Sequence, residues 1–232
     1  MDSVSGVGVL DKSVAVLAAL SEHGPLSLAD LVAATGLSRP TAHRLAVALE
    51  THGMVGRDDS GRFRLGLRLL AWGTRANEAS GMVELARPVL EALRDRTGES
   101  TQLYVREDGN RVCVASAERP SGLRDTVPVG AVLPIERGSG GKVLLAWGDA
   151  PADPSTRAEL AAIRAQGWAS SVGEREPGVA SVSAPVLDGS GHLLGAISVS
   201  GPLDRFGSEP GRRFAEAVVA AAKDLERRAG LS

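Results

Sequence analysis

Between positions 10 and 49 the apolar residues recur three or four apart, the period of an α-helix. Leu10, Val14, Leu17 and Leu20 predict a first helix with one buried stripe, stopped by Gly24-Pro25. Ser27 is placed to cap a second helix, with Asp30 three residues on in an arrangement close to a capping box. Leu28, Leu31 and Val32 form its apolar face, and Gly36 ends it. Ser38 is placed to cap a third helix, with Arg39 and Pro40 in the first turn, where proline's missing N–H costs nothing. On that helix Ala42, Leu45, Ala46 and Leu49 share one side, and Pro40, His43, Arg44 and Val47 the other. Around the polar turn Asp58-Asp59-Ser60-Gly61 the period drops to two. Phe63 and Leu65 alternate with Arg62 and Arg64, which predicts a β-hairpin with both arginines on its outer face.

A helical connector is expected over 67–97: Leu67, Leu70 and Trp72, then a stripe of Met82, Leu85, Ala86, Val89, Leu90 and Leu93. Gly81 and Pro88 are expected to break or kink it. From Ser100 alternation returns. TQLYVRE, RVCVASAE and RDTVPVG are strand candidates separated by DGN and PSG turns. GSGGKVLLAW reads as a glycine turn opening a helix, and RAELAAIRAQG as another helix. Two further strands, GVASVSAPVLD and LLGAISVSGP, are joined through Asp188–Gly191. A last helix from Pro210 to Arg228 would bury Phe214, Val218, Ala221, Ala222 and Leu225. The 232 residues have room for two cores. The expected class is α+β, with an N-terminal winged helix-turn-helix over 1–66 and a mainly antiparallel sheet over 98–232.

Helix, tight turn, helix and hairpin is the layout that places a second helix in a DNA major groove and a wing on the adjacent backbone. The candidate DNA contacts are Ser27, Ser38, Arg39, Pro40, Thr41, His43 and Arg44, with Arg62 and Arg64 on the wing. Six arginines fall between Arg39 and Arg68, against Glu50, Asp58 and Asp59, while the whole chain carries a net charge of −2. Positive charge is therefore concentrated at one place, as a phosphate-facing surface requires. One small head binds weakly, so a homodimer or tetramer on double-stranded DNA with a two-fold operator is expected.

Enzymatic chemistry finds little support. GSGGK lacks the first glycine of a phosphate loop, where Glu136 stands, and Val143 follows the lysine where Ser or Thr is needed. His23, His43, His52 and His192 are scattered, so no metal site, catalytic residue or cofactor is expected. The single cysteine, Cys113 in the alternating RVCVAS, reads as a buried thiol and suits a reducing cytoplasm. No run of about 18 apolar residues suggests a membrane span. MDSVSGVGVLDKS lacks the pattern of an export signal.

A ligand pocket has more to stand on. Gly138-Ser139-Gly140-Gly141 opens a helix whose free N–H groups and dipole attract an anion. Ser181 and Ser183 share a strand face, as do Ser198 and Ser200, and buried hydroxyls need partners. Glu174, Arg175 and Glu176 precede the first of these strands and are placed to close over it. The plainer alternative is that the serines satisfy one another and the glycines only make a tight turn.

The head SLADLVAATGLSRPTAHRLAVALETHGMVGRDDSGRFRLG, the segment ARPVLEALRDRTGEST, the helix GSGGKVLLAW and the tail GVASVSAPVLDGSGHLLGAISVSGP resemble the IclR family of bacterial transcriptional regulators. TGES, SGLRDTVPVG and GEREPGVASVSAPV are more similar to an actinobacterial branch linked to amino-acid metabolism, notably leucine biosynthesis. The resemblance implies a winged-helix head, a helical dimerisation linker over 67–97 and a GAF-like effector domain over 98–232. It also implies dimers or tetramers on palindromic operators. It places effector contacts at Ser139 and Gly140, around Glu174 and Glu176, and at Ser198 and Ser200, and the glycine turn and shared strand face add Gly141, Ser181 and Ser183 as candidates. Many members carry a cysteine where this chain has Ser181, and Ala-Gly where it has Gly140-Gly141. The implied effector is a small carboxylate or amino acid. The competing expectation is a ligand-binding or protein-interaction module whose head does not bind DNA.

Overall fold

Three helices and a short hairpin open the N-terminal unit of the computed structural model: α1 (Gly8–His23), α2 (Leu28–Thr35), α3 (Arg39–Thr51), β1 (Val55–Arg57) and β2 (Phe63–Leu65). The structure describes residues 5–78, 81–107, 109–148 and 154–230. Residues 1–4 of the stretch read for export, Ala79 and Ser80 of the connector, and Asp108 of the DGN turn lie outside them. The chain divides into two compact units, Met1–Ala79 and Ser80–Ser232.

In the first unit Ser27 and Asp30 complete the capping box of α2, and Gly36 ends that helix in the left-handed region at φ 65°. Val16, Leu20, Leu31, Ala46, Val55 and Phe63 make the core. The hairpin is tied to the chain before α2 by a bridge in which Leu26 and Phe63 exchange both backbone hydrogen bonds. On α1 the buried face is Val16, Ala19 and Leu20, whereas Leu10 and Val14 are exposed. That corrects the stripe read from the sequence. GVLDKSVAVLAAL carries apolar residues on both sides of the helix, so spacing alone does not choose a face. Ser38 precedes α3, but its hydroxyl donates to Thr41 Oγ1 rather than capping a backbone N–H. Helix α4 (Leu67–Glu78) follows β2.

The second unit begins with α5 (Met82–Thr97), the second half of the segment expected as a connector. Pro88 lies inside α5 without breaking it. Its ring faces solvent, where the carbonyl it leaves unpaired can bond water. Strands β3 (Ser100–Glu107), β4 (Asn110–Ala117) and β5 (Val132–Pro134) precede α6 (Ser139–Ala146) and α7 (Pro154–Gln166). Then come β6 (Ala169–Val172), β7 (Val179–Leu187), β8 (Leu193–Pro202), a short α8 (Leu203–Phe206) and α9 (Pro210–Arg228). The six strands form one sheet in the order β5-β4-β3-β8-β7-β6, antiparallel throughout. RDTVPVG is not a strand; the edge strand comes later, at β5.

Helices α5 and α9 cover one sheet face, where Leu90, Leu93, Phe214 and Leu225 meet Leu103, Val182, Ile197 and Val199. Helices α6 and α7 cover the other, with Val143, Leu144, Leu160 and Ile163 against Tyr104, Cys113 and Ala196. A register shift at Leu103/Tyr104 pairs Leu103 with Ala115 and Tyr104 with Cys113. This bulge turns Cys113 to the α6 side although Ala115 and Ala117 pack on the α5/α9 side. Among the described residues no helix is long and apolar enough to cross a membrane.

Candidate functional site

Helix α3 buries Ala42, Leu45, Ala46 and Leu49, which leaves Arg39, Pro40, His43, Arg44, Val47 and Ala48 outward. Arg39, His43 and Arg44 make no ion pair or side-chain hydrogen bond among the described residues, so their donors are available to a partner. An exposed helix face with a free guanidinium near its centre suits bidentate contact to guanine edges or phosphates.

The other expected DNA contacts are engaged within the chain. Ser27 is held in its capping box, and Ser38 and Thr41 bond each other at 2.9 Å. Arg62 lies in the turn rather than in β2 and pairs with Asp58 at 2.8 Å. Arg64 donates to the carbonyls of Arg57 and Leu65. The two wing arginines therefore do not share a free outer face, because the strand begins only at Phe63 and alternation does not extend to Arg62. Sequence reasoning passed over Arg57, whose guanidinium pairs with Glu50 at 3.0 Å and lies 4.2 Å from the Phe63 ring centre. The ion pair with Glu50 ties the wing to α3, and the ring contact holds the guanidinium in place for it.

In the second unit the α6 side of the sheet carries a hydroxyl chain. Ser139, first residue of α6, donates to Ser181 at 2.7 Å, and its Oγ also lies within hydrogen-bond distance of Ser183 Oγ at 2.7 Å. Ser183 donates to Ser198 at 2.9 Å, and Ser171 and Ser181 are 3.0 Å apart. Ser200 and the Gln102 amide bond each other reciprocally, at 3.0 and 3.2 Å. Period two brings these residues to one face, as the sequence predicts, but they satisfy one another, which is the plainer of the two expectations.

Around Ser181, Ser198 and Ser200 a cavity is lined by Tyr104, Arg111, Asp125, Gly138 and Arg175. Its free volume is close to 10 Å³, about one water molecule. Arg175 reaches Asp125 at 2.6 Å. Arg111 lies 4.9 Å over the Tyr104 ring and is almost fully buried, and its Nε is a buried donor with no partner. Burial lowers the Arg111 pKa and drives that of the Tyr104 phenol well above its ordinary value. Glu174 sits at the α6 opening, where it accepts the Gly138 N–H at 3.2 Å and pairs with Lys142 at 2.6 Å. Glu176 is exposed, 3.9 Å from Arg175, and does not line the cavity. Gly140 faces Arg111 and Tyr104, while Gly141 packs against the Ile135 carbonyl, so the second glycine serves packing. Among the described residues no group of three or more His, Cys, Asp or Glu side chains converges as a metal site would.

These two arrangements coincide with two family models. The IclR helix-turn-helix domain matches residues 9–59, and the bacterial transcriptional regulator IclR C-terminal domain matches residues 75–155 and 152–227. The HTH-type transcriptional regulator BhcR of Paracoccus denitrificans is 28% identical over 241 residues, 95% of this chain and 86% of that protein. A glycerol operon regulatory protein of Streptomyces coelicolor is 29% identical, across 94% of this chain and 93% of its own. The crystal structure of an IclR transcriptional regulator from Alicyclobacillus acidocaldarius superposes with a TM-score of 0.80 at 25% identity, covering 97% of this chain and 99% of that one. The matches to the helix-turn-helix model and to the C-terminal model, which together span most of the sequence, place this chain in the IclR family of DNA-binding transcriptional regulators.

Proposed function

We propose that the chain is a ligand-responsive, sequence-specific regulator: α3 enters the major groove, and the cavity under α6 receives the effector. The observation that carries the DNA half is the outward face of α3, where Arg39, His43 and Arg44 are exposed and unengaged. Arg62 and Arg64 reach the flanking phosphates from the wing once DNA competes for their present partners, and Ser27, Ser38, Pro40 and Thr41 frame the helix end. The winged head spans 1–66, the connector 67–97 and the effector domain 98–232. Ser139, Gly140, Ser181, Ser183, Ser198 and Ser200 surround the effector, a small carboxylate or amino acid, with Glu174 at the rim.

The regulator acts in the cytoplasm as a homodimer or tetramer on a two-fold operator. Support comes from apolar side chains left exposed in the first unit: Leu10 and Val14 on α1, and Leu67, Leu70 and Trp72 on α4. A second copy is the occupant that a two-fold operator calls for. By linkage, an effector that changes DNA affinity must have its own affinity changed by the same factor. Target genes in amino-acid metabolism, with the leucine branch first, rest on the resemblance of SGLRDTVPVG and GEREPGVASVSAPV.

Selection of random-sequence duplexes by the full chain tests the proposal. Enrichment of a two-fold repeated element is expected. A pool no richer in any element than the starting library would sink it.

A further inference from the structure

We infer that Glu50 and Arg57 are positioning residues for DNA recognition, clamping the wing to α3 so that Arg64 and Arg44 engage one duplex together. This role rests on the DNA-binding reading and explains how helix and wing act as one surface.

Glu50 stands in an unfavourable place. It follows His43 by about two turns of α3 and lies on nearly the same side of the helix. A carboxylate there repels phosphates. It also sits in the last turn of the helix, where the dipole already places negative partial charge. Neither DNA binding nor helix stability favours an acid at this position. What it gains is Arg57, whose Nε lies 3.0 and 3.3 Å from the two carboxylate oxygens and whose Nη2 lies 3.3 Å from one of them.

The same arginine reaches into the wing. Its Nη1 donates to the Gly61 carbonyl at 3.2 Å, within the wing turn. Its guanidinium lies 4.2 Å from the ring centre of Phe63, the residue opposite it in the hairpin and part of the core. Its own carbonyl accepts the Nε–H of Arg64 at 3.2 Å. One side chain thus touches the end of α3, the wing turn and the core, while its backbone holds a second wing cation in place.

The charges of the wing show what this arrangement serves. Arg57 pairs with Glu50 and Arg62 with Asp58, whereas among the described residues no carboxylate pairs with Arg64. Arg64 is therefore the wing cation whose charge remains for a phosphate. The turn is stiff, because Asp58 Oδ1 accepts the N–H groups of Ser60 and Arg62 at 3.0 and 2.9 Å. A hairpin of two three-residue strands is marginal by itself. The Leu26–Phe63 bridge fixes its β2 edge to the chain before α2, and the Arg57–Glu50 pair fixes its β1 edge to α3. Two contacts made by one rigid body reinforce each other, since the second forms at a high effective concentration. A wing released from its tie loses that advantage where the site holds the helix in one register.

The test uses the full chain on the selected duplex and on a scrambled one, below the melting temperature of every variant. Glu50→Gln removes a negative charge from the DNA side, so electrostatics alone predicts tighter binding to both duplexes. The clamp predicts the opposite on the selected duplex, roughly tenfold weaker binding, with the scrambled duplex held at least as tightly as before. A loss of folded protein weakens both equally and does not produce that split. Arg57→Lys keeps the charge without the fork and should behave as Glu50→Gln does, whereas a direct phosphate contact by Arg57 would largely survive as lysine. In an Arg64→Ala background Glu50→Gln should cost less than about twofold, and in an Arg44→Ala background it should keep most of its cost. If Arg57→Lys is unfolded at the assay temperature, Glu50→Gln, which keeps the size of the side chain, decides alone. Binding of Glu50→Gln to the selected duplex as tight as wild type, a full loss that persists without Arg64, or a folded Arg57→Lys that binds like wild type overturns the clamp and leaves the DNA reading intact. A wild type that does not distinguish the two duplexes overturns both.

Discussion

Lys142 Nζ lies 2.6 Å from Glu174 Oε1, and the other oxygen of that carboxylate accepts the backbone N–H of Gly138 at 3.2 Å. The N-terminal end of α6 thus already holds an anion, fixed by a lysine from the helix's own first turn. Glu159, on α7, is the lysine's second partner at 2.9 Å. Burial opposes the Lys142 charge, but the hydrogen bonds to Glu174 and Glu159 outweigh it and raise its pKa.

Removing the charge at Glu174 tests this arrangement. Glu174→Gln keeps an acceptor for Gly138 but loses the ion pair and the favourable charge at the helix end. About 1 kcal/mol of stability should go, read from the urea midpoint. The pH dependence follows from the raised lysine pKa. The pair's contribution is fully present below the unfolded lysine value of about 10.4 and is lost as pH rises through the higher folded value. The gap between wild type and Glu174→Gln should therefore be steady around neutral pH and narrow in alkali as the lysine loses its proton. A gap that already closes near neutrality contradicts the assignment.

Gly141→Ala should destabilise the second unit although the position is helical, where alanine ordinarily helps. The added Cβ would run into the Ile135 carbonyl, which is backbone and cannot swing aside. A loss of about 1–3 kcal/mol is expected from such overpacking. Gly36→Ala is a useful contrast: its added Cβ meets open space and its cost comes only from the left-handed φ of 65°. A Gly141→Ala protein as stable as wild type would show that the turn into α6 is looser than described.

Cys113 is fully buried, and burial pushes its thiol pKa up to about 12. At pH 8 only about one thiol in ten thousand is then ionised, and the thiolate is the reacting form. Iodoacetamide should leave the native chain unmodified and label it fully in urea. Because the folded pKa is raised, this group's contribution to stability is complete below about pH 8.5 and declines as pH climbs toward 12. Cys113→Ala should therefore lose less stability than wild type between those limits. Rapid native labelling at pH 8 would contradict the burial.

How much of this was legible in the chain follows from which rules apply where. The head was readable because Ser27, Gly36, Pro40 and the Asp58–Gly61 turn each punctuate one boundary, and α3 has a clean division between Leu45 and Arg44. The α1 face was not, since that helix is apolar on both sides and only packing selects Val16 over Val14. In the second unit alternation placed Ser181, Ser183, Ser198 and Ser200 correctly on one face. It gave no hint of Arg111, because strict alternation groups positions 111, 113, 115 and 117 together. The bulge opposite Leu103/Tyr104 breaks that run and sends Ala115 and Ala117 to the other side. Asp125, expected in a strand, instead lies in a loop and pairs with Arg175 across fifty positions of sequence. No local pattern carries a pair of that kind.

The central claim is that the exposed face of α3 reads DNA. Fluorescence anisotropy of wild type and Arg44→Ala on a selected duplex and on a scrambled one, at about 50 and 200 mM salt, addresses it most directly. Arg44→Ala should cost about 1–3 kcal/mol on the selected duplex and much less on the scrambled one, with both proteins binding more weakly at higher salt. Equal binding of the two proteins to both duplexes would contradict the claim and leave the head as a module that serves something other than DNA.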